Sequence, residues 1–97
     1  MAPQLQFVNG NQQGQAAQVA GDRFLVGRGS DCQLTLADSE ASRRHALLRP
    51  QADGSVVLED LGSTNGTYIG SQRLTQATAI QLGTQIRVGK TTLELKK

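Results

Sequence analysis

Turn residues interrupt this chain so often that no stretch of it keeps a helical period. Short apolar or alternating runs at residues 5–8, 16–20 and 23–26 stop at Asn9-Gly10, Gly21 and Gly27, all residue types that tolerate a positive φ. Residues 33–36 follow, with Leu34 and Leu36 on one face. Then come 45–49 and 56–59, expected to be central strands joined across 50–55 with Asp53-Gly54 as the turn. After 67–69 the pattern recurs as Ile80 with Leu82, Ile86 with Val88, and Leu93 with Leu95, broken by Gly83 and Gly89-Lys90, and the last two runs predict a hairpin. Parallel crossovers would need helical stretches that this pattern lacks, so the chain is predicted to be all-β and a sandwich.

Ninety-seven residues without a compositional break are the length of one domain, taken as 1–97. Such a chain buries a bit over ~60% of its unfolded surface, enough for a core without staples. Staples are in any case ruled out within the chain, because Cys32 is the only cysteine. A lone cysteine and a lone histidine also make a poor metal cluster, so no metal and no cofactor are expected. Residues 1–6 lack the basic and apolar regions of a signal peptide, and no apolar run approaches the ~18 residues of a membrane span. A cytoplasmic domain, monomeric in isolation and with no membrane partner, is the expectation. The net charge of +2, from 10 basic and 8 acidic residues, is too small to imply a nucleic-acid surface. Its distribution says more: residues 1–21 carry no charge, whereas Arg28, Arg43, Arg44 and Arg49 follow closely and form a candidate anion site.

Three polar loops carry the chemistry. Gly27-Arg28 closes one strand, Ser42-Arg43-Arg44-His45 opens another, and Gly62-Ser63-Thr64-Asn65-Gly66-Thr67 follows a third. A phosphate with close to two negative charges is best held by a planar guanidinium supported by hydroxyl and main-chain donors, and Arg28, Ser42, Arg43 and Thr64 are such donors. No base, nucleophile activator or metal accompanies them, so the site is expected to hold a phosphate ester and release it intact rather than act as an enzyme.

As an ordered set over nearly the whole chain, with a motif core at about 23–88, these loops resemble the forkhead-associated (FHA) family. The resemblance implies a twisted sandwich of about eleven strands in two sheets, with adjacent termini and the binding loops at the other end. It also implies recognition of phosphothreonine in partner proteins of Ser/Thr kinase pathways. Arg28 resembles the arginine that reaches the phosphate and Ser42 the hydroxyl that contacts it, with Arg43 as a further contact. Thr64 matches a second hydroxyl near the phosphothreonine, and Asn65 the amide that holds the peptide main chain. Gly27, His45 and Gly66 match scaffold positions: Gly27 for a tight turn, His45 to brace the loops, Gly66 to complete the second turn. Specificity is expected in loops such as 37–41 and 70–78. Ile69-Gly70, where many members have Asn-Gly, is a mild departure in a hairpin beyond the site.

Other readings of the same residues are weaker. Ser42 and His45 with Asp60 suggest a hydrolytic triad, but no Gly-x-Ser-x-Gly elbow is present, and an odd separation puts the two on opposite faces of an extended segment. Gly89-Lys90-Thr91 ends like a phosphate loop, yet the leading glycine is replaced by Thr84. Asn65-Gly66 alone reads as a hairpin turn. Two rival functions are an assembly domain of the same fold without phosphate dependence, and a nucleic-acid-binding β domain. The latter has only Phe7, Phe24 and Tyr68 for stacking, none beside the arginines, so no nucleic-acid partner is expected.

Overall fold

The alternation visible in the sequence is the one the chain buries. The computed structural model of the protein describes residues 3–10 and 12–97, and among these the chain forms eleven strands and no helix. In chain order they are β1 (Gln4–Phe7), β2 (Ala16–Gln18), β3 (Phe24–Gly27), β4 (Leu34–Thr35), β5 (Ala46–Pro50) and β6 (Val56–Asp60). The remainder are β7 (Thr67–Ile69), β8 (Gln72–Arg73), β9 (Thr78–Ile80), β10 (Gln85–Val88) and β11 (Thr91–Lys96). Leu5 and Phe7 of β1, Val56 and Leu58 of β6, Ile86 and Val88 of β10, and Leu93 and Leu95 of β11 point inward at every second position.

The strands make two sheets, β2-β1-β11-β10-β7-β8 and β4-β3-β5-β6-β9, which close over one aliphatic core with Phe7 and Phe24 as its aromatic members. Register decides where the loops emerge. Val26 pairs with Ala46 and Ala46 with Asp60, while Thr67 pairs with Val88 in the other sheet. The loops after β3, before β5 and after β6 therefore leave from the same end. Gln4 pairs with Lys96, which places the two ends of the described chain side by side at the other end. As expected, β5 and β6 lie inside their sheet and β10 and β11 form a hairpin.

Four details depart from the sequence reading. Ile80 ends β9, and Leu82 does not join it: the chain turns at once, with Thr84 N–H donating to Gln81 O at 3.1 Å and Gly83 N–H to Leu95 O at 2.7 Å. Leu82 is left 53% exposed. The two exposed residues of β8 carry no apolar alternation, and their pairing with Tyr68 and Ile69 was signalled only by the hairpin that the resemblance implies at Ile69-Gly70. The β3–β4 pair is parallel without a helical crossover, because it is only two residues long and the connection has little distance to retrace. The polar run 11–15, which by sequence reads as a solvent-facing hairpin tip, is the fourth: Asn11 lies outside the described residues, as do Met1 and Ala2. Gln12 there accepts the Ala37 N–H at 3.0 Å rather than facing only solvent.

These assignments separate two leucines. Leu48→Ala, in the middle of the core, is expected to cost about 2–5 kcal/mol, whereas Leu82→Ser should change stability by no more than about 0.5 kcal/mol. Urea unfolding of both variants checks the pair, and a comparable loss in each would contradict the placement of Leu82.

Candidate functional site

His45 immediately precedes β5 and is 0% exposed, which requires both ring nitrogens to find partners inside the protein. Its Nδ1 accepts the Ser42 N–H at 3.0 Å and its Nε2 lies 2.8 Å from the Gly66 carbonyl oxygen, so the proton sits on Nε2 and is donated to that carbonyl. Its main chain is engaged too: His45 N–H donates to Val26 O, and Leu61 N–H donates to His45 O. One side chain thus ties the 38–44 loop to the 60–66 loop. It cannot serve Ser42 as a base, because its acceptor nitrogen is occupied by the Ser42 main chain and the Ser42 hydroxyl itself accepts the Thr64 N–H at 3.2 Å. This geometry removes the hydrolytic triad.

The end of β3 is pressed against the same segment. Arg28 N–H donates to Ser42 O and Gly29 N–H to Arg43 O, each at 2.9 Å. A Cβ on Gly27 would stand 2.3 Å from the Arg43 carbonyl oxygen. Gly27 is therefore needed for close approach of two backbones. It is not the positive-φ turn residue expected from the sequence; it is the last residue of β3 and its φ is not in the left-handed region. Gly66, by contrast, does take φ +84. Asn65-Gly66 is not a hairpin, since it carries the chain from β6 in one sheet to β7 in the other.

Arg28 is exposed, but its Nε–H donates to the Ala41 carbonyl at 3.0 Å. This restrains the guanidinium, and among the described residues its four terminal N–H groups have no hydrogen-bond or ion-pair partner. Arg28, Gly29, Ser30, Asp31, Arg43 and Arg44 line an open depression of about 670 Å³. Arg43 is exposed and free of ion pairs among the described residues. Thr64 is also exposed, and Asn65 donates one amide N–H to the Glu40 carbonyl at 2.8 Å, keeping its other N–H and its oxygen available.

The structure thus brings together Arg28, Ser42, Arg43, Thr64 and Asn65, with Gly27, His45 and Gly66 beneath them. It does not gather all four arginines. Arg44 is paired with Asp31 at 2.7 Å, and Arg49 lies along β5 with Glu59 at 3.4 Å, away from the loops. An apolar concavity at the opposite end, lined by Pro3, Val19, Pro50 and Leu82 among others, has Lys97 as its single charged residue and offers little to an anion.

Sequence reasoning missed the two carboxylates that shape the loops. Asp60 accepts the N–H groups of Gly62 and Ser63 and the hydroxyls of Ser63 and Thr67. Its Oδ1 is 4.0 Å from His45 Nε2, too long for a hydrogen bond. Asp38, 8% exposed, accepts the Lys90 N–H and the Thr91 hydroxyl at 2.7 Å each and the Glu40 N–H at 2.9 Å. Burial works to raise both carboxyls. For Asp60 the Ser63 and Thr67 hydroxyls and the loop amides outweigh burial, and for Asp38 the Thr91 hydroxyl with the Glu40 and Lys90 amides does so, leaving both below the ordinary carboxylate range. An Asp two and three residues before Gly62 and Ser63 is a local turn signal that could have identified Asp60. Asp38 and Thr91 have no such signal. At Cys32 burial, then the Asp31 charge, pushes the thiol up, and its S–H donates to Arg43 O at 3.1 Å, so it braces the same segment.

Comparison with known proteins extends over the same region. A family model described as the cytoplasmic domain of the inner-membrane component of the type III secretion system matches residues 6–97. The FHA domain-containing protein FhaB of Mycolicibacterium smegmatis is 41% identical over 96 residues, covering 99% of this chain and 61% of that protein, so the chain spans less than two thirds of its relative's length. A solved domain from work on phosphothreonine-dependent FHA domain interactions superposes with a TM-score of 0.89 at 31% identity, covering 100% of this chain and 97% of that one. The FhaA FHA domain, solved in complex with the intracellular domain of another protein, superposes with a TM-score of 0.88 at 32% identity, over 98% of this chain and 100% of that one.

Two outcomes follow from the buried polar groups. His45→Ala strands the Ser42 N–H and the Gly66 carbonyl and opens a cavity, which is expected to cost about 3 kcal/mol or more; an unchanged melting temperature would exclude the bracing role. For Asp60 and Asp38, whose folded values are depressed, the stability they contribute is present above their unfolded value of about 4 and is lost as the pH falls through the folded values. Urea midpoints between neutral and strongly acid pH should show that acid limb, and Asp60→Asn with Asp38→Asn should start lower at neutral pH and flatten it.

Proposed function

The chain belongs to the forkhead-associated family, to which the matched cytoplasmic-domain model is related, and from that premise we propose that it is a phosphothreonine-binding module. It recruits phosphorylated segments of partner proteins in Ser/Thr kinase signalling and performs no catalysis. The observation that carries this reading is the anchoring of Arg28: its Nε–H is committed to Ala41 O, and the residue lines the depression that Arg43 also lines. Arg28, Ser42, Arg43 and Thr64 are assigned to the phosphate and Asn65 to the peptide main chain. Gly27, His45 and Gly66 support them from below.

The physical case rests on ordering that precedes binding. A charge-assisted guanidinium–phosphate contact is strong when the fork is already oriented, because less side-chain entropy is lost on association. The Ser42 hydroxyl oxygen accepts from Thr64, which leaves its proton to donate outward. The non-catalytic reading is supported by the committed His45 nitrogens and by Asp60, whose oxygens are filled by loop donors, so these two cannot activate Ser42. Nucleic-acid binding is disfavoured by the dispersal of the arginines, since Arg44 and Arg49 are held by Asp31 and Glu59. A cytoplasmic, monomeric domain fits the same reading, and no helix among the described residues is long and apolar enough to cross a membrane.

Isothermal titration with phosphorylated and unphosphorylated forms of one threonine peptide tests the proposal. Binding near micromolar, about 8 kcal/mol, is expected for the phosphopeptide, with almost none for its unphosphorylated form and a loss of at least about tenfold for Arg28→Ala. Equal curves for the two peptides would overturn it.

A further inference from the structure

The outer face of the six-stranded sheet holds a row of residues that the loop site does not use. Tyr68 of β7 stands opposite Arg87 of β10 on one side and opposite Arg73 of β8 on the other. Directly opposed residues of neighbouring strands project from the same face. That face is the outer one, because Ile86 and Val88 on either side of Arg87 are buried in the core. Strand spacing of about 4.8 Å puts the two arginine backbones roughly 10 Å apart with the tyrosine between them. The Arg87 guanidinium carbon lies 4.3 Å from the Tyr68 ring centroid. Stacking restrains the guanidinium and leaves its in-plane N–H groups free at the edge.

The row adjoins the loop site. A Cβ on Gly66 would stand 2.7 Å from Arg73 Nε, so the Arg73 side chain lies across the turn that carries Thr64 and Asn65. Between Asn65 and Arg87 is a concavity of about 510 Å³, which Glu40, Tyr68, Gly89 and Lys90 also line. The nearby carboxylates are occupied. Glu40 pairs with Lys90 at 3.3 Å, Glu94 accepts from the Gln85 amide at 3.1 Å, and Asp38 and Asp60 are filled by loop donors. Among the described residues neither Arg73 nor Arg87 has an acidic partner within salt-bridge distance.

We propose that Arg73, Tyr68 and Arg87 form a second anion subsite, which takes an acidic or phosphorylated side chain of the same segment whose phosphothreonine occupies the loops. The proposal rests on the phosphothreonine reading. Tyr68 lies three positions after Asn65, at most about 10 Å of chain, which an extended peptide covers in about three or four residues. A nucleic-acid strand is a poorer fit, since such binding uses successive stacking platforms. Phe7 and Phe24 are buried in the core, and the Tyr68 face is already covered by Arg87.

The test uses fluorescence anisotropy with alanine-flanked phosphothreonine peptides in which one aspartate is moved through each position within about four residues of the phosphothreonine. The readout is the ratio of the Kd of the aspartate-free peptide to that of the aspartate peptide on the same protein. For the parent, one position should give a ratio of about three or more, falling as salt is raised. In Arg73→Gln/Arg87→Gln that ratio should collapse to about one, with the fold checked by circular dichroism. A second phosphothreonine in place of the aspartate distinguishes the two ligand sources, and a larger gain for it identifies phosphate as the better ligand. An equal ratio on the double variant overturns the subsite, as does the absence of any responsive position on a parent that still binds the aspartate-free phosphopeptide. Failure of that phosphopeptide to bind better than its unphosphorylated form would instead overturn the phosphothreonine reading. A short single-stranded oligonucleotide bound by the parent and lost in the double variant would reassign the row to nucleic acid and overturn the proposal.

Discussion

A buried neutral imidazole organises the binding end of this domain. His45 receives a main-chain N–H from the 38–44 loop on Nδ1 and gives its Nε2 proton to a main-chain carbonyl of the 60–66 loop. Because it lies just before β5, whose register with β3 and β6 is set by the core, the loops inherit their positions from the sheet. A polar side chain at 0% exposure is tolerable only when fully bonded, so the loops cannot separate without exposing an unpaired donor or acceptor. Ser42 extends the connection by accepting the Thr64 N–H, and Asn65 closes it by donating to the Glu40 carbonyl.

Two carboxylates complete what the histidine begins. Asp60 folds the 60–66 loop back on itself and reaches Thr67 at the start of β7, which couples the two sheets through a side chain. Asp38 does the same for the β10–β11 turn through Lys90 and Thr91. Among the described residues no helix stands behind this end of the sandwich to supply amides, and carboxylate-to-amide and carboxylate-to-hydroxyl bonds do the ordering. The same bonds hold the carboxyls below their ordinary range despite burial. Both negative charges are consumed inside the loops, and the guanidinium of Arg28 and the side chain of Arg43 remain on the rim. The anion-binding role proposed for this end is compatible with the buried acids beneath it because those acids are saturated with donors.

What could be read in the chain before folding follows its local periodicity. Alternation at 5–8, 56–59, 86–88 and 93–95 identified strands, because a period of two in apolar residues has one physical outlet, a sheet with one buried face. The ordered set of Gly27-Arg28, Ser42 to His45 and Thr64 to Gly66 identified the loops that meet. The alternation failed at Leu82, where a turn closed by Thr84 and Leu95 takes precedence over the apolar pattern. It was silent at Gln72–Arg73, which form a strand only because Tyr68 and Ile69 lie beside them.

The sequence by itself determined the fold class, most of the strands and the residue types at the binding end. The tertiary structure alone decided partnership: that Gly27 is needed because Arg43 O lies where its Cβ would be, and that Asp38 serves Thr91 across 53 positions. It also decided that Arg44 and Arg49 are neutralised while Arg73 and Arg87 align with Tyr68. Periodicity reports which face of a strand is apolar, a property of neighbours along the chain. Which residue faces which is set by sheet register and loop closure, and those depend on how the whole core packs.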